Sequence, residues 1–551
     1  MGRHGVAASL RSPLSSSLLL AWVMVLVLGL SATPAQAQKR RPAGTYSELA
    51  VRSTSTGALM AALPGTSQLL MIERPRGQQH VLTASVVDLA TGKATAMQPP
   101  IDHFCGAITF TEDGDPLLVG GHTGSKIVKD GRKVISVFHR DTLTFERLAT
   151  LTWNRWYPTA IRVSDREVLI SGGTSKPDGG DICPKAEVYN TDTSAVELVT
   201  QPQLFTDAAA WNWFPFLALL PKGHVIWWGD TAGSITDGAT QKLITDLPFF
   251  PDNSTQRTAY PYTGSPVLLP LTFEDNYEAR FCIFGGAENG AKAATPASSQ
   301  ALCLHLKHCN SPSGYCFGDG WQVEDMGLRR VMGDTVALPN GKVLILNGAQ
   351  NGRAGYANGG WKKGGDGSFP NTVSLLYDPI APAGKRFKRL AETPIVRMYH
   401  STACLHHTGD VLVAGCDVCA KYAGVAPKTT PSPDGLLEYR LQLVKLTENA
   451  RERPAIVTAP KIITRGLTFI VDYEYSADII GASLVTPCGV THSIGMNQRV
   501  VMLKVIGAAN GRAFIQAPPA LLPALALRGH YLLFLLGKSR SYSEGVWLQL
   551  R

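Results

Sequence analysis

Short apolar runs, each bounded by a turn and most of them closing on glycine, recur along nearly the whole chain. Seven stand out: "QLLMIE" from Gln68, "PLLVGGH" from Pro116, "EVLISGGT" from Glu167, "HVIWWGD" from His224, "FCIFGGA" from Phe281, "KVLILNGA" from Lys342 and "DVLVAGC" from Asp410. Each follows another apolar run across a turn. The turns "EDGD", "PKGH", "PNGK" and "HTGD" put glycine after a polar residue, which suits tight hairpins. Runs of this length are too short for ordinary helices. Seven such units at intervals of about 50 to 70 residues predict an all-β fold, a seven-bladed kelch-like β-propeller. From about Arg453 the repeat stops, and "GLTFIVDYEYS", "RVVMLKVIG", "RAFIQAP" and "YLLFLLGKSRSYSEGVWLQL" have the strand pattern of a β-sandwich. The expected organisation is a propeller over 38–450 and a C-terminal sandwich over 451–551.

Residues 1–37 read differently. Arg3 and Arg11 precede the apolar stretch "LLLAWVMVLVLGL", and "AQA" at 35–37 offers small residues for cleavage, the pattern of a secretory signal peptide. An uncleaved signal anchor is the other reading, but the apolar core falls short of the ~20 residues that a membrane span requires. Secretion to the extracellular space or a cell wall is therefore expected, with no stable membrane insertion. Removing this segment takes away two arginines and no acids, so the formal charge falls from +9 to +7. Without a dense Lys/Arg cluster, no nucleic-acid partner is expected. Asn253 in "NST" is a glycosylation sequon usable on the secretory route. Of the ten cysteines, Cys309/Cys316, Cys416/Cys419 and Cys282/Cys303 are plausible bridges. The C-x-x-C from Cys416 to Cys419 could instead bind metal.

Counting back sixteen residues from the glycine that ends the second run reaches Cys105 from Gly121, Tyr157 from Gly173, Trp213 from Gly229, Met332 from Gly348 and Tyr399 from Gly415. A constant offset in a repeat marks equivalent places on successive blades, so these side chains should gather on one rim around the propeller axis. Tyr399 and the adjacent His400 offer an oxygen and a nitrogen donor, Tyr157 another oxygen, and Cys105 a sulfur beside it. Mixed N and O donors favour Cu(II) among the common transition metals.

With "FCGAITF", "RWYPTAIRVSDREVLISGG", "NWFPFLALLPKG", "RRVMGDTVALPNGKVLILNGA", "RMYHSTACLHHTGDVLVAG" and "THSIGMNQRVVML", the chain resembles the copper radical oxidases, the family of galactose oxidase and glyoxal oxidase, and above all their glyoxal oxidase-like members. The resemblance spans nearly the whole mature chain. It implies a seven-bladed kelch propeller followed by an immunoglobulin-like domain, and one copper ion. It further implies a thioether-linked Cys105–Tyr157 radical cofactor, with Tyr157 also a metal ligand. Tyr399 would be an axial ligand and proton acceptor, and His400 and His492 the two histidine ligands, His492 reaching in on a hairpin from the C-terminal domain. A chain ending near 450 should then be inactive. With Cys105 consumed by the thioether, at most four disulfides and one free thiol remain, and Cys404 is the expected free thiol.

Galactose oxidase stacks a tryptophan on its Tyr-Cys unit from a position where this chain has Ser175; Trp213 is either a substitute or, as the favoured reading, a buried aromatic with no redox role. Arg330, two residues before Met332, stands where the family has an arginine near the open copper position, and is a candidate substrate-orienting residue. Arg499, in "THSIGMNQR", is expected to support the hairpin. The glycine-rich segment "AQNGRAGYANGGWKKGGDG", from Ala349 to Gly367, lacks the strand-to-helix context of a phosphate loop and is expected to be a flexible surface loop that shapes access to the copper. The functional expectation is a secreted, monomeric copper oxidase of small aldehydes of the glyoxal or methylglyoxal type, reducing O2 to H2O2. A primary-alcohol oxidase of the same architecture, or a non-catalytic kelch propeller that binds glycans of an extracellular matrix or cell wall, are the alternatives.

Overall fold

All seven apolar runs are strands, and each is the second strand of its own antiparallel sheet. They are seen in a computed structural model that describes residues 44–76, 80–177, 179–207, 212–251, 255–356, 365–419, 429–446, 453–474 and 478–551. Strands take 51% of residues and helix 2%, so the fold is nearly all β. The expected signal peptide, the Asn253 sequon and the boundary near 450 lie outside the described residues. Among the described residues no helix is long and apolar enough to cross a membrane.

The first sheet runs Leu59–Ala62, Gln68–Ile72, Ala84–Asp88, Lys93–Met97, and the second Ala107–Phe110, Pro116–Val119, Val134–His139, Thr144–Thr150. Sheets three to six start with Trp156–Arg162, Phe216–Leu219, Ser265–Leu268 and Asp334–Ala337 and repeat the same order. The seventh starts with Thr402–Leu405, but its fourth strand is Thr45–Arg52 from the beginning of the described chain, paired antiparallel with Arg440–Lys445. In six of the seven sheets the first two strands are almost wholly buried, the exception being Phe216–Leu219 with its two central residues partly exposed, while the last strand is largely open to solvent, as expected when inner strands face a common interior. First strands of consecutive sheets lie against each other from the first to the fourth sheet and again from the fifth through the seventh to the first.

After residue 453 the strands form two further sheets, one of Ala455–Thr458, Thr468–Glu474, Arg512–Gln516 and Val505–Ala509, the other of Ile462–Ile463, Val546–Leu550, Gly529–Gly537, Ile479–Val485 and Val500–Leu503. Between Ile479–Val485 and Val500–Leu503 of the latter sheet the chain sends out a hairpin, Gly489–Thr491 and Ile494–Gly495, which joins the inner edge of the first sheet with Leu59 opposite Thr491. The hairpin also touches first strands of the second, fifth, sixth and seventh sheets. Arg499 supports it: buried, its guanidinium donates to the carbonyls of Ala524 and Leu525, each at 2.8 Å, and to that of Leu219.

Three expectations need correction. Cys404 is bonded to Cys488 and is not free; the two thiols outside disulfides are Cys105 and Cys183, both buried. Sequence offered no way to see that the hairpin base would come beside the strand after His400. Cys416–Cys419 is a disulfide rather than a metal site, and Cys282–Cys303 and Cys309–Cys316 pair as expected. The glycine-rich segment is not a loose loop where it is described: Ala349–Tyr356 and Gly365–Pro370 pair as an antiparallel ribbon. Its glycines serve close approach, since a Cβ on Gly352 (φ 87°) would sit 2.2 Å from the Asp366 carbonyl oxygen.

Candidate metal centre

The offset of sixteen has a backbone cause. Cys105, Tyr157 and Met332 have left-handed φ of 63°, 66° and 50°, so the chain turns sharply just where each first strand begins. The Tyr157 N–H donates to the Cys105 carbonyl at 3.0 Å, and the Phe214 N–H to the Tyr157 carbonyl at 2.8 Å, linking one strand start to the next. The fourth sheet follows the rule with a shift. Its register pairs Phe216 with Trp228, so residue 230 is the one opposite the strand start, and Asp230 (φ 63°) takes the place that glycine has elsewhere. Counting from it gives Phe214 (φ 50°), not Trp213. In the seventh sheet the strained residue is likewise His400 (φ 128°). Non-glycine residues in this region cost roughly 1 kcal/mol or more each, and they persist where the surrounding fold over-determines them.

His492 arrives by a different device. His492 and Ser493 are the two central residues of the tight hairpin, with φ of 47° and 72°, the signs that a type I′ turn requires. The turn holds the imidazole at the hairpin tip, among the inner strands. Four residues before it, the Cys404–Cys488 bridge ties the hairpin base to the strand that begins two residues after His400. By loop-closure entropy, such a bridge contributes about 4 kcal/mol.

These elements bring all five expected residues together, each buried. His400 Nε2 lies 2.8 Å from His492 Nε2, and Cys105 Sγ 3.9 Å from His492 Nε2. The Cys105 thiol also lies close enough to the Tyr157 phenol for each to influence the other's ionisation. Tyr157 and Tyr399 share a hydrogen bond between their hydroxyls, and the Tyr260 hydroxyl is 3.0 Å from that of Tyr399. Burial pushes both the Tyr157 and Tyr399 phenols well above their ordinary range, with neighbouring phenols and the Cys105 thiol adding to it.

Several contributors escaped the sequence reading. Thr491 donates its hydroxyl hydrogen to the Ala58 carbonyl at 2.8 Å, so its oxygen accepts from His492 Nδ1, 2.6 Å away. Asp417 Oδ2 is 3.1 Å from His400 Nδ1 and also accepts from the Tyr356 hydroxyl at 2.5 Å. Burial alone would raise the Asp417 carboxyl, but His400, Arg76 and Tyr356 together hold it below its ordinary value, so it is a carboxylate and the His400 Nδ1 must donate. With its Nδ1 proton on Thr491, His492 turns its Nε2 lone pair towards His400 Nε2, and burial and the facing His400 hold it well below the usual histidine range, so that lone pair is free to accept. A metal cation could be held between the two nitrogens, and the back-side partners Thr491 and Asp417 are of the kind that fix metal-bound imidazoles. Two imidazole nitrogens with two phenol oxygens fit a copper(II) ion better than the all-oxygen ions or a thiolate-rich zinc site.

Two aromatic rings stack on Tyr157: Trp156 at 3.6 Å and 13°, and Phe214 at 4.5 Å and 29°. Trp213 does not. It meets Trp156 edge-on at 5.7 Å and donates its indole N–H to Thr174 at 3.1 Å, so the shielding role belongs to its neighbours. Arg330 is also not where a substrate residue should be. It is fully buried, donating to the carbonyls of Asn347 and, at 2.8 Å, Val373. Arg397 does the same to Gly415 and Arg440, and Arg155 to Gly172 and Lys185. An arginine two residues before the strained position in the third and sixth sheets, and three before it in the seventh, is thus a repeated lock, satisfying carbonyls left over where the second and third strands diverge. Each unmade bond of this kind would cost about 1–3 kcal/mol.

A nearly all-β chain that gathers phenols, imidazoles and a thiol in this way falls in the galactose oxidase-like class, and residues 453–550 match the family model "Galactose oxidase-like, Early set domain". Residues 73–430 match the model "Glyoxal oxidase N-terminus". The chain belongs to the glyoxal oxidase family. Among curated proteins it is similar to aldehyde oxidase GLOX of Vitis pseudoreticulata, 30% identical over 84% of this chain and 85% of that one. Aldehyde oxidase GLOX1 of Arabidopsis thaliana is 28% identical over 84% and 74%. Among solved structures, a fungal alcohol oxidase of the AA5 family in complex with copper shares the fold, with a TM-score of 0.68 at 16% identity, covering 92% of this chain and 99% of that one.

Proposed function

We propose that the protein is a secreted copper radical oxidase that oxidises small aldehydes, as their hydrates, to carboxylic acids: R–CH(OH)2 + O2 gives R–COOH + H2O2. The observation that carries this reading is the pair of imidazole nitrogens, His400 Nε2 and His492 Nε2, 2.8 Å apart beside two hydrogen-bonded phenols and a buried thiol. His400, His492, Tyr157 and Tyr399 would hold the copper. When bound, the ion supplies one-electron redox capacity and acidifies a coordinated hydroxyl.

The chain supplies the rest. Removing two electrons from the substrate needs a second one-electron store, and a tyrosine ring bearing sulfur is easier to oxidise than a bare one. Joining Cys105 Sγ to the Tyr157 ring forms a C–S bond and releases the thiol and ring hydrogens with two electrons, which O2 takes up. Trp156 and Phe214, stacked on that ring, shield it from water. Tyr399 accepts the substrate O–H proton as a phenolate, and its hydroxyl contacts with Tyr157 and Tyr260 give that proton a path away. Alone and buried, Tyr399 is too weak an acid to ionise; charge neutralisation at the site makes it a base.

The seven four-stranded sheets with neighbouring first strands support a seven-bladed kelch-type propeller, and the two sheets after residue 453 an immunoglobulin-like sandwich. The deciding measurement is mass spectrometry of secreted, copper-loaded protein. A peptide containing Cys105 joined to one containing Tyr157, lighter by a pair of hydrogens than the separate peptides, is expected. Unlinked peptides after treatment with copper and oxygen would overturn the radical-oxidase reading.

A further inference from the structure

The mouth of the cluster holds a cation that the oxidase chemistry leaves unused. Arg74 follows the second strand of the first sheet and is half-buried, whereas Tyr157, Tyr399, His400 and His492 are buried. Its guanidinium carbon lies 5.8 Å from the Phe104 ring centroid and 5.7 Å from that of Tyr356. Those two rings border His400, at 5.3 Å and 5.7 Å. Arg74 therefore stands, partly open to solvent, against the two rings that border the imidazole, steadied by both aromatic faces.

Charge is unbalanced there. Arg76, two residues on, lies within 3.5 Å of both Glu73 and Asp417. Among the described residues no carboxylate comes within ion-pair distance of Arg74. Asp417 is already committed to His400, Tyr356 and Arg76, and burial pushes the Asp102 carboxyl up to about 7, so it is a weak counter-ion. Nor can Arg330 serve the substrate, as its guanidinium is spent on backbone carbonyls.

We infer that Arg74 is the substrate-orienting residue, its guanidinium binding the oxygen on the carbon next to the reacting one and selecting small vicinally oxygenated aldehydes, 2-oxo aldehydes and aldehyde carboxylates, over aldehydes and alcohols without that oxygen. This rests on the oxidase reading above. A planar fork of N–H donors matches two oxygens held side by side, and a substrate lacking the second oxygen leaves the cation unpaired. Lysine, a point charge, would replace it only in part.

Arg74→Met and Arg74→Lys would be compared with the wild type in the copper-loaded enzyme, using glyoxylate and acetaldehyde. For glyoxylate, KM is expected to rise about tenfold or more in Arg74→Met with a smaller change in kcat, to be partly restored in Arg74→Lys, and to stay within about threefold for acetaldehyde. Calorimetric titration of copper-free protein with glyoxylate should show the same weakening in Arg74→Met. Equal KM changes for the two aldehydes, or glyoxylate binding that is unaltered by Arg74→Met, would overturn the assignment. A wild type that oxidises neither aldehyde would sink the oxidase reading instead, leaving the copper-free titration to decide for or against Arg74.

Discussion

"RWYPTA" opens the third sheet at Arg155 and "RVMGDT" the sixth at Arg330. Both begin with a buried arginine clamped on carbonyls, and both put the next residue but one in left-handed backbone, Tyr157 at φ 66° and Met332 at φ 50°. From there they part. The Tyr157 hydroxyl bonds to that of Tyr399 under a stacked Trp156, while Met332 packs in an apolar cluster with Met398, Ala349 and Ala354. The repeat thus supplies identical strained pedestals, and chemistry depends on what stands on each. An arginine at a fixed spacing from the site belongs to the pedestal.

The comparison breaks most sharply at the strained position itself. Tyr157→Phe is expected to lower kcat about a thousandfold or more, with no Cys105 cross-link, whereas Met332→Leu should stay within a few-fold of wild type; peroxide release measures both. A tolerant Tyr157 would show that the two sheets do not differ in function.

Next come the locks. Arg155 also pairs with buried Glu187 at 2.7 Å, so Arg155→Met strands a charge and should destabilise by about 3–5 kcal/mol in urea unfolding. Arg330→Met leaves two carbonyls without their donor but breaks no ion pair, for a loss of about 2–4 kcal/mol. Protein that stays folded with Arg330→Met should keep the wild-type KM. A raised KM would return Arg330 to the substrate site.

The smallest effect separates the sheets by pH. Asp334 stands where the third sheet has Thr159, and burial pushes its carboxyl up to about 7, against the opposing pull of Asn347 and Arg330. A carboxyl whose folded pKa is raised keeps its proton longer in the fold than in the unfolded chain. Its contribution is intact below about pH 4 and declines as pH rises towards 7, with a slope of at most about 1.4 kcal/mol per unit. Asp334→Asn should flatten that decline in melts taken from pH 4 to 7; an unchanged profile would show that Asp334 ionises freely.

The strands were legible because their period and closing glycines are local properties. That Cys105, Tyr157, Tyr399, His400 and His492 would come together in one buried cluster was legible too, through one spacing rule and a set of motifs. The spacing failed at Trp213 because Asp230 adopts the backbone that glycine has in the other sheets, so counting from Gly229 lands one residue short of Phe214. Thr491 and Asp417 were invisible as functional residues, since they act on the far nitrogens of imidazoles brought to them by tertiary structure. Tyr356 was hidden in a segment whose glycines looked like slack but permit close ribbon contacts. Arg330 was misassigned because nothing local distinguishes an arginine facing a ligand from one facing a carbonyl.

The hairpin that carries His492 bonds to a strand from the other end of the chain: Thr491 donates to the carbonyl of Ala58, 433 residues earlier. During synthesis Tyr157, Cys105 and His400 all leave the ribosome before that hairpin exists. On the proposed reading, a stalled or truncated nascent chain would carry an incomplete ligand set, and the centre would become competent only once that hairpin had been delivered. The order of translation would then withhold peroxide production until nearly the whole chain has been made.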